Sequence, residues 1–417
     1  MKALVLERNI PRFAASRMAS LLGSGRGAGI GPLQLEDRST PDLPDEDWFH
    51  LTPLLSGICG SDLATLDGRS SRYFEDMVSF PFVPGHEVVG VLRDGGRDHA
   101  GLELAPGTRA VIEPVLGCAP RHIHPACPYC SSGRTGLCGN VAFGALEPGL
   151  QTGFCADTGG GWSTAPLSAH TSQIHAVPES FTDEDAVVIE PTACAVHAVL
   201  SAGVADDDVV AVVGAGTLGL ACVAALHDLV RPGTGCSVTV GAKHAHQRRR
   251  AEALGADTVV SPDQLARAVR RRSGSLVLAG RLTDGADVVF DCVGSSESIT
   301  QSLAMVRPRG RVVLVGMPGK VSVDLAPLWH RELTLVGAYA YGRETPPGVP
   351  EPHRTFDLAI GLVASAQLGS LVSAAYPLER YEEAIAHAGA AGRRGAVKVV
   401  FDLRGRSDRT NRKGSTR

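Results

Sequence analysis

What this 417-residue chain has little of narrows its function before any motif is considered. It holds no apolar run near the ~20 residues that a bilayer-spanning helix requires, so no membrane role is expected. Its start, Met1-Lys2-Ala3-Leu4-Val5, has the pattern of a strand and lacks the charged and apolar regions of a secretion signal, which makes the cytoplasm the expected compartment. Charge of either sign is scarce in excess: 40 Lys and Arg stand against 44 Asp and Glu, a net of −4. That balance gives no general pull toward nucleic acid or anionic lipid. Two basic triplets, Arg248-Arg249-Arg250 and Arg270-Arg271-Arg272, sit in Ala-containing helical segments and read as solvated faces.

What is present, with 44% hydrophobic residues, suits a soluble globular protein. The length is too great for one small core and fits two domains. Ten cysteines without an export signal favour metal or catalytic use over disulfides. Glycine, at 49 residues, exceeds the ~7% average, as expected of many tight turns and phosphate loops.

The informative stretch is residues 57–87. It opens Gly57-Ile58-Cys59-Gly60-Ser61-Asp62 and closes Pro84-Gly85-His86-Glu87. Thiolate, imidazole and carboxylate are the ligand types that hold Zn²⁺ through three protein groups, leaving a fourth position for water or substrate. Ser61 lies close enough to Cys59 in sequence for its hydroxyl to pass a proton. Asp62 is placed to accept the free N–H of a metal-bound His86. A second motif, Cys127-Pro128-Tyr129-Cys130 with Cys138 beyond and Cys118 upstream, offers four thiolates; four close a tetrahedral zinc shell and leave no place for chemistry. Such a Gly- and Pro-rich loop has little apolar content, so a metal supplies the missing folding energy.

Farther on, Asp208–Val213 is a continuous β-rich run, followed by Gly214-Ala215-Gly216-Thr217-Leu218-Gly219 and an apolar helix extending through Leu229. Strand, glycines and helix come in the order that rests a pyrophosphate on free N–H groups at a helix N-terminus. The next strand, Ser237–Val240, ends without the acidic residue that would hold an NAD ribose. Gly241-Ala242-Lys243-His244 follows, with Arg248 one turn on, a pattern favouring the 2′-phosphate of NADP over NAD. Later runs, residues 287–294 and 310–316, continue the alternation of a parallel sheet, with Val293, Val315 and Gly316 expected near the nicotinamide.

Cys59-Gly60-Ser61-Asp62 followed by Gly85-His86-Glu87 resembles the zinc-dependent medium-chain dehydrogenases, the family of alcohol, polyol and glucose dehydrogenases. The likeness runs from about Met1 to Leu403. It implies an α/β protein: a GroES-like, β-rich catalytic domain plus a Rossmann domain with a doubly wound parallel sheet. It implies Cys59, His86 and Glu87 as catalytic zinc ligands, Ser61 as the start of a proton relay, and an all-cysteine structural site that favours Cys118 over His124 as fourth ligand. In polyol and glucose dehydrogenase relatives the Glu-Pro at Glu190-Pro191 sets its carboxylate beside the catalytic zinc. Two carboxylates and a thiolate would make the centre anionic, so only one of Glu87 and Glu190 is expected to bind directly at a time, the other acting through water. Where many relatives have a relay histidine, this chain has Ala64, which puts the outward proton path in doubt.

The resemblance sets the expected organisation: residues 1–190 in the catalytic domain with the zinc lobe at 118–138, 191–337 in the nucleotide domain, 338–403 returning to the first, and 404–417 as a disordered tail. Asn9–Leu35 reads as an insertion with a short helix near Ala14–Leu22 and a flexible connector at Gly23–Gly29. Tyr339 and Tyr341 are expected at the substrate cleft, and His197 in the core. The expected activity is hydride transfer between a nicotinamide and an alcohol, polyol or matching carbonyl compound, in a homodimer or homotetramer. The alternatives are a metal-free reductase of the same superfamily and a non-enzymatic nucleotide sensor.

Overall fold

The computed structural model describes residues 1–22 and 29–405, and their contacts divide into two units. The first unit takes Met1–Glu190, Val372–Ala391 and the chain from Lys398 onward; the second takes Pro191–Leu371 and Gly392–Val397. The expected return after Gly337 therefore comes at Val372. Residues 338–371 stay with the second unit because helix Thr355–Ser365 buries Phe356, Ala359 and Leu362, and Tyr341 packs edge-on against Phe356. Tyr341 is buried in that contact, so of the two cleft candidates only Tyr339 is exposed.

A seven-stranded sheet forms the first unit. Its order is Val372–Tyr376, Lys398–Asp402, Trp48–Gly57, Val88–Leu92, Thr108–Ile112 and Ile174–Ala176, with Leu167–His170 also paired to Trp48–Gly57. All of these pairings are antiparallel except the first, which is parallel. Leu51, Val88, Leu92, Ala110, Ile112, Leu167 and Ile174 meet in its core. Strand Val88–Leu92 begins only after His86 and Glu87. Pro84 has no N–H to give a ladder, Gly85 sits at φ +99°, and the Pro84 and Gly85 carbonyls accept from Trp162 and Gly161 instead. His86 and Glu87 thus lie in a tight loop ahead of the strand.

Lys2–Leu6 pairs antiparallel with Leu33–Asp37, and the insertion is the connection between them, resuming the strand at Leu33. Its helix is longer than expected, Ile10–Leu21; Gly23 to Ala28 lie outside the described residues. The helix is clamped to Gly60–Leu66: Ser16 Oγ donates to the Leu66 carbonyl at 2.9 Å, and Arg17 donates to Gly68 O at 2.8 Å. At the other end of the chain, Arg404 pairs with Asp402, Asp183 and Glu184. The expected disordered tail therefore cannot begin at 404, since three carboxylates fix that residue; 406–417 lie outside the described residues.

Six parallel strands make the second unit, in the order Thr258–Val260, Ser237–Gly241, Val209–Val213, Ala286–Asp291, Val306–Leu314 and Thr334–Gly337. Counted along the chain this is 3-2-1-4-5-6, the doubly wound arrangement whose ligand crevice opens at the carboxyl ends where the order reverses. Val210 to Val213 are buried, as expected of a strand covered on both faces. Helix Thr217–Ala225 packs against the strand so closely that a Cβ on Gly219 would collide with the Gly214 carbonyl oxygen. Among the described residues no helix is long and apolar enough to cross a membrane.

Gly219→Ala is expected to lower unfolding free energy by about 1–3 kcal/mol, the usual cost of overpacking. Denaturant titration of the variant beside the parent checks this.

Candidate active site and metal centres

Cys59 caps helix Gly60–Leu66 in an extended conformation, φ −86° and ψ 159°. One oxygen of Asp62 accepts the Cys59 backbone N–H at 2.9 Å, and the other stands 3.4 Å from His86 Nδ1. A single buried carboxylate thereby ties together two points well apart in sequence. The ligand atoms of Cys59, His86 and Glu87 all lie within 4.8 Å of one another. Burial weighs most on the His86 ring and disfavours its charge, but Asp62 and then Cys59 together override it and raise its pKa well above the ordinary value. The pocket thus attracts positive charge, and its donors fit a three-ligand zinc site.

Glu87 is buried against Lys398 as an ion pair. The Lys398 ammonium also donates to the Ile58 carbonyl at 3.4 Å. Burial opposes its charge, yet Glu87, Cys59 and Glu190 outweigh burial and raise its pKa, so the lysine stays protonated. Space for this pair depends on Gly57, where any Cβ would collide with Glu87 Oε2. Glu190 sits in the first turn of helix Ile189–Ser201, outside the 4.8 Å cluster though near enough to act on Lys398. Ser61 occupies the opening turn of its helix, and its carbonyl accepts from Thr65 Oγ1 at 2.9 Å. His197 pairs with Glu344 at 2.6 Å, a structural partner.

The four cysteines Cys118, Cys127, Cys130 and Cys138 also converge. Their sulfurs are 3.6 Å apart for Cys118 and Cys138 and 4.0 Å for Cys127 and Cys138. A tetrahedron of Zn–S bonds near 2.3 Å has edges of about 3.8 Å, so the spacing fits a zinc cage and is too wide for a disulfide. Backbone N–H groups of Cys118, Cys127, Cys130 and Asn140 point at the sulfurs. Burial raises the Cys127 thiol, but donors from Cys130 and Gly139 prevail and bring it down to about 6; burial pushes Cys138 up to about 11.

At the carboxyl end of the parallel sheet, Gly214 takes φ +92° and Gly216 caps helix Thr217–Ala225 with no side chain in the way. A Cβ on Gly216 would meet nothing within 4 Å, and Leu218 follows Thr217 in the first turn, so the turn has room to cradle a pyrophosphate. Val293 abuts Gly214, while the Val315 and Gly316 N–H groups both donate to the Asp291 carbonyl at 2.9 Å. Lys243 is exposed just past strand Ser237–Gly241, and Arg248 Nη1 donates to the Ala242 and Lys243 carbonyls at 3.1 Å each.

Three structural contributors escaped sequence reasoning. Lys398 stood in a strand pattern whose only anomaly is a cation opening an apolar run. Gly57 is one glycine among 49, and nothing local marks the carboxylate it makes room for. Arg121, between Cys118 and Cys127, is fully buried and donates to the carbonyls of Leu116, Phe143, Leu146, Glu147 and Gly149, binding the cysteine lobe to the chain beyond it.

Two family descriptions match: an alcohol dehydrogenase GroES-like domain over residues 46–179 and a zinc-binding dehydrogenase over residues 218–351. Sorbitol dehydrogenase of Arabidopsis thaliana is 27% identical over 379 residues, covering 90% of this chain and 93% of the relative. D-xylulose reductase A of Aspergillus oryzae is 28% identical over 368 residues, covering 85% and 90%. The crystal structure of galactitol-1-phosphate dehydrogenase from Escherichia coli superposes with a TM-score of 0.68 at 20% identity, over 96% of this chain and all of the other, a likeness of fold.

Asp62→Asn is expected to weaken zinc binding at the Cys59 site by about 10- to 100-fold, the usual effect of losing a carboxylate behind a metal-bound histidine. Chelator competition followed by metal analysis checks it, with the four-cysteine site retaining its ion.

Proposed function

The chain belongs to the zinc-dependent medium-chain dehydrogenases, and from that membership we propose that it interconverts a secondary hydroxyl of a polyol and the matching ketone, with NADP(H) preferred. Membership makes it a zinc-using, NAD(P)-dependent oxidoreductase; substrate class, cofactor preference and residue roles are what we infer. The observation that carries the reading is the convergence of Cys59, His86 and Glu87 at the start of the helix bearing Ser61.

In this reading Cys59, His86 and Glu87 hold the catalytic ion, and Cys118, Cys127, Cys130 and Cys138 the structural one. Bound zinc supplies Lewis acidity toward the substrate oxygen. Lys398 orients Glu87 through one carboxylate oxygen and leaves the other for the ion. Glu190, outside the cluster, acts through water. Ser61 accepts the hydroxyl proton during oxidation and returns it during reduction; Ala64, one position before Thr65 on the same helix, carries that proton no further. Gly214, Gly216, Thr217, Leu218 and Gly219 seat the pyrophosphate, Val293, Val315 and Gly316 flank the nicotinamide, and Lys243 with Arg248 meets the 2′-phosphate. Polyol specificity draws support from the relatives named for sorbitol and xylulose chemistry, and from Glu190, a second carboxylate able to accept a neighbouring hydroxyl.

Cytoplasmic residence draws support from the converging thiols of Cys118, Cys127, Cys130 and Cys138, a metal-type cluster that a reducing compartment keeps unoxidised. Assembly with further copies draws support from Thr334–Gly337, an edge strand of the parallel sheet with half-exposed Val336, and from exposed Trp329, Leu276 and Leu278 in the same unit. Light scattering is expected to give a multiple of the 43.5 kDa chain mass, and a monomer would refute the assembly.

The activity test is a panel of sorbitol, xylitol and simple secondary alcohols assayed on zinc-loaded protein with NADP⁺ and NAD⁺. Polyol-dependent NADPH formation that disappears in Cys59→Ala is the expected result. Reduction of activated double bonds by protein free of metal would overturn it.

A further inference from the structure

We propose that Arg393, from a segment near the end of the chain, joins Lys243, His244 and Arg248 to form the recognition site for the phosphate monoester on the adenosine ribose of NADP(H), and so acts as a specificity-determining residue. The inference rests on the cofactor preference proposed above and names a participant remote in sequence.

Segment Gly392–Val397 belongs to the second unit although the chain on both sides of it belongs to the first. It docks where strand Ser237–Gly241 gives way to helix Ala245–Ala253. Gly392 faces the His244 ring, since a Cβ there would come within 2.6 Å of Cδ2 and 2.7 Å of Nε2. His246 Nε2 stands 3.3 Å from the Ala396 carbonyl oxygen. The His244 and His246 rings stack at 5.8 Å and 18° between planes, so both imidazoles are engaged by the docked segment. A bulkier residue at 392 would have to displace that ring, and the immediate successor of Gly392 is the exposed Arg393.

This contact brings a cation from the far end of the chain to the place where a doubly wound fold distinguishes its two dinucleotides. Arg248 is already braced against the Ala242 and Lys243 carbonyls through one nitrogen, leaving its other N–H groups for an anion. Burial weighs most on His244, and after it the charges of His246, Lys243, Arg248 and Arg393 all push its pKa down. A site whose strongest neighbouring charges share one sign is repulsive alone and is relieved by a dianion. A ribose with a free 2′-hydroxyl brings no such charge.

The test measures binding without turnover: fluorescence titration of NADPH and NADH with zinc-loaded parent and Arg393→Ala protein. The substitution is at an exposed side chain, so folding is retained. Losing one charge-assisted contact is expected to raise the NADPH dissociation constant about tenfold while leaving that of NADH unchanged. An Arg393→Ala protein that keeps the parent's preference for NADPH, or loses both ligands equally, overturns the role of Arg393 and leaves the cofactor preference standing. A parent that binds NADH more tightly overturns the preference itself and this assignment with it.

Discussion

A buried ion pair between Glu87 and Lys398 holds the catalytic unit together from opposite ends of the chain. Neither charge could sit there alone, because removing one partner of a buried pair typically costs about 3–5 kcal/mol through the charge left behind. Lys398 can reach Glu87 only when the final strand lies beside Trp48–Gly57, with Phe401 opposite Ser56 and Val400 opposite Gly57. Sheet closure, the glycine at 57 and the orientation of the carboxylate are therefore one event. The cluster of Cys59, His86 and Glu87 inherits its geometry from that event and from Asp62, which holds Cys59 and His86 from the other side.

The two sites place different demands on the backbone. The four-cysteine cluster is local: its sulfurs come from Cys118 to Cys138, and nearby N–H groups supply much of its electrostatics. Arg121 extends that local order outward by gathering five carbonyl oxygens. The nucleotide crevice instead comes from strand order, since reversal between Val209–Val213 and Ala286–Asp291 leaves Gly214 and Val293 facing each other.

Legibility in the sequence followed the range of each interaction. Gly214 to Gly219, the cysteine quartet and the Cys59-to-Asp62 turn are short motifs whose spacing states their chemistry, and the parallel-sheet alternation gave the second unit its type. His86 joins Cys59 through ligand chemistry and family likeness together, since no local spacing connects the two. Lys398 could not be found that way: its meaning resides in a pairing with Glu87 across most of the chain, and a lone lysine before Val399-Val400-Phe401 resembles any strand end. The return to the first unit was misplaced because apolar pattern does not say which core will receive helix Thr355–Ser365. The late start of strand Val88–Leu92 is equally hidden, because Pro84 and Gly85 divert backbone bonds to Gly161 and Trp162, partners distant in sequence.

The clamp of Ser16 and Arg17 on the end of helix Gly60–Leu66 changes the standing of the segment between the first two strands. A seven-residue helix has little cooperativity of its own, and this one borrows rigidity from a neighbour that entered as an elaboration of a hairpin. The elaboration has become an abutment: shortening it to a plain turn would uncover the Leu66 carbonyl and loosen the piece of backbone that presents Cys59 and Ser61. The placement of Cys59 and Ser61 thus leans on a stretch of chain that touches neither of them.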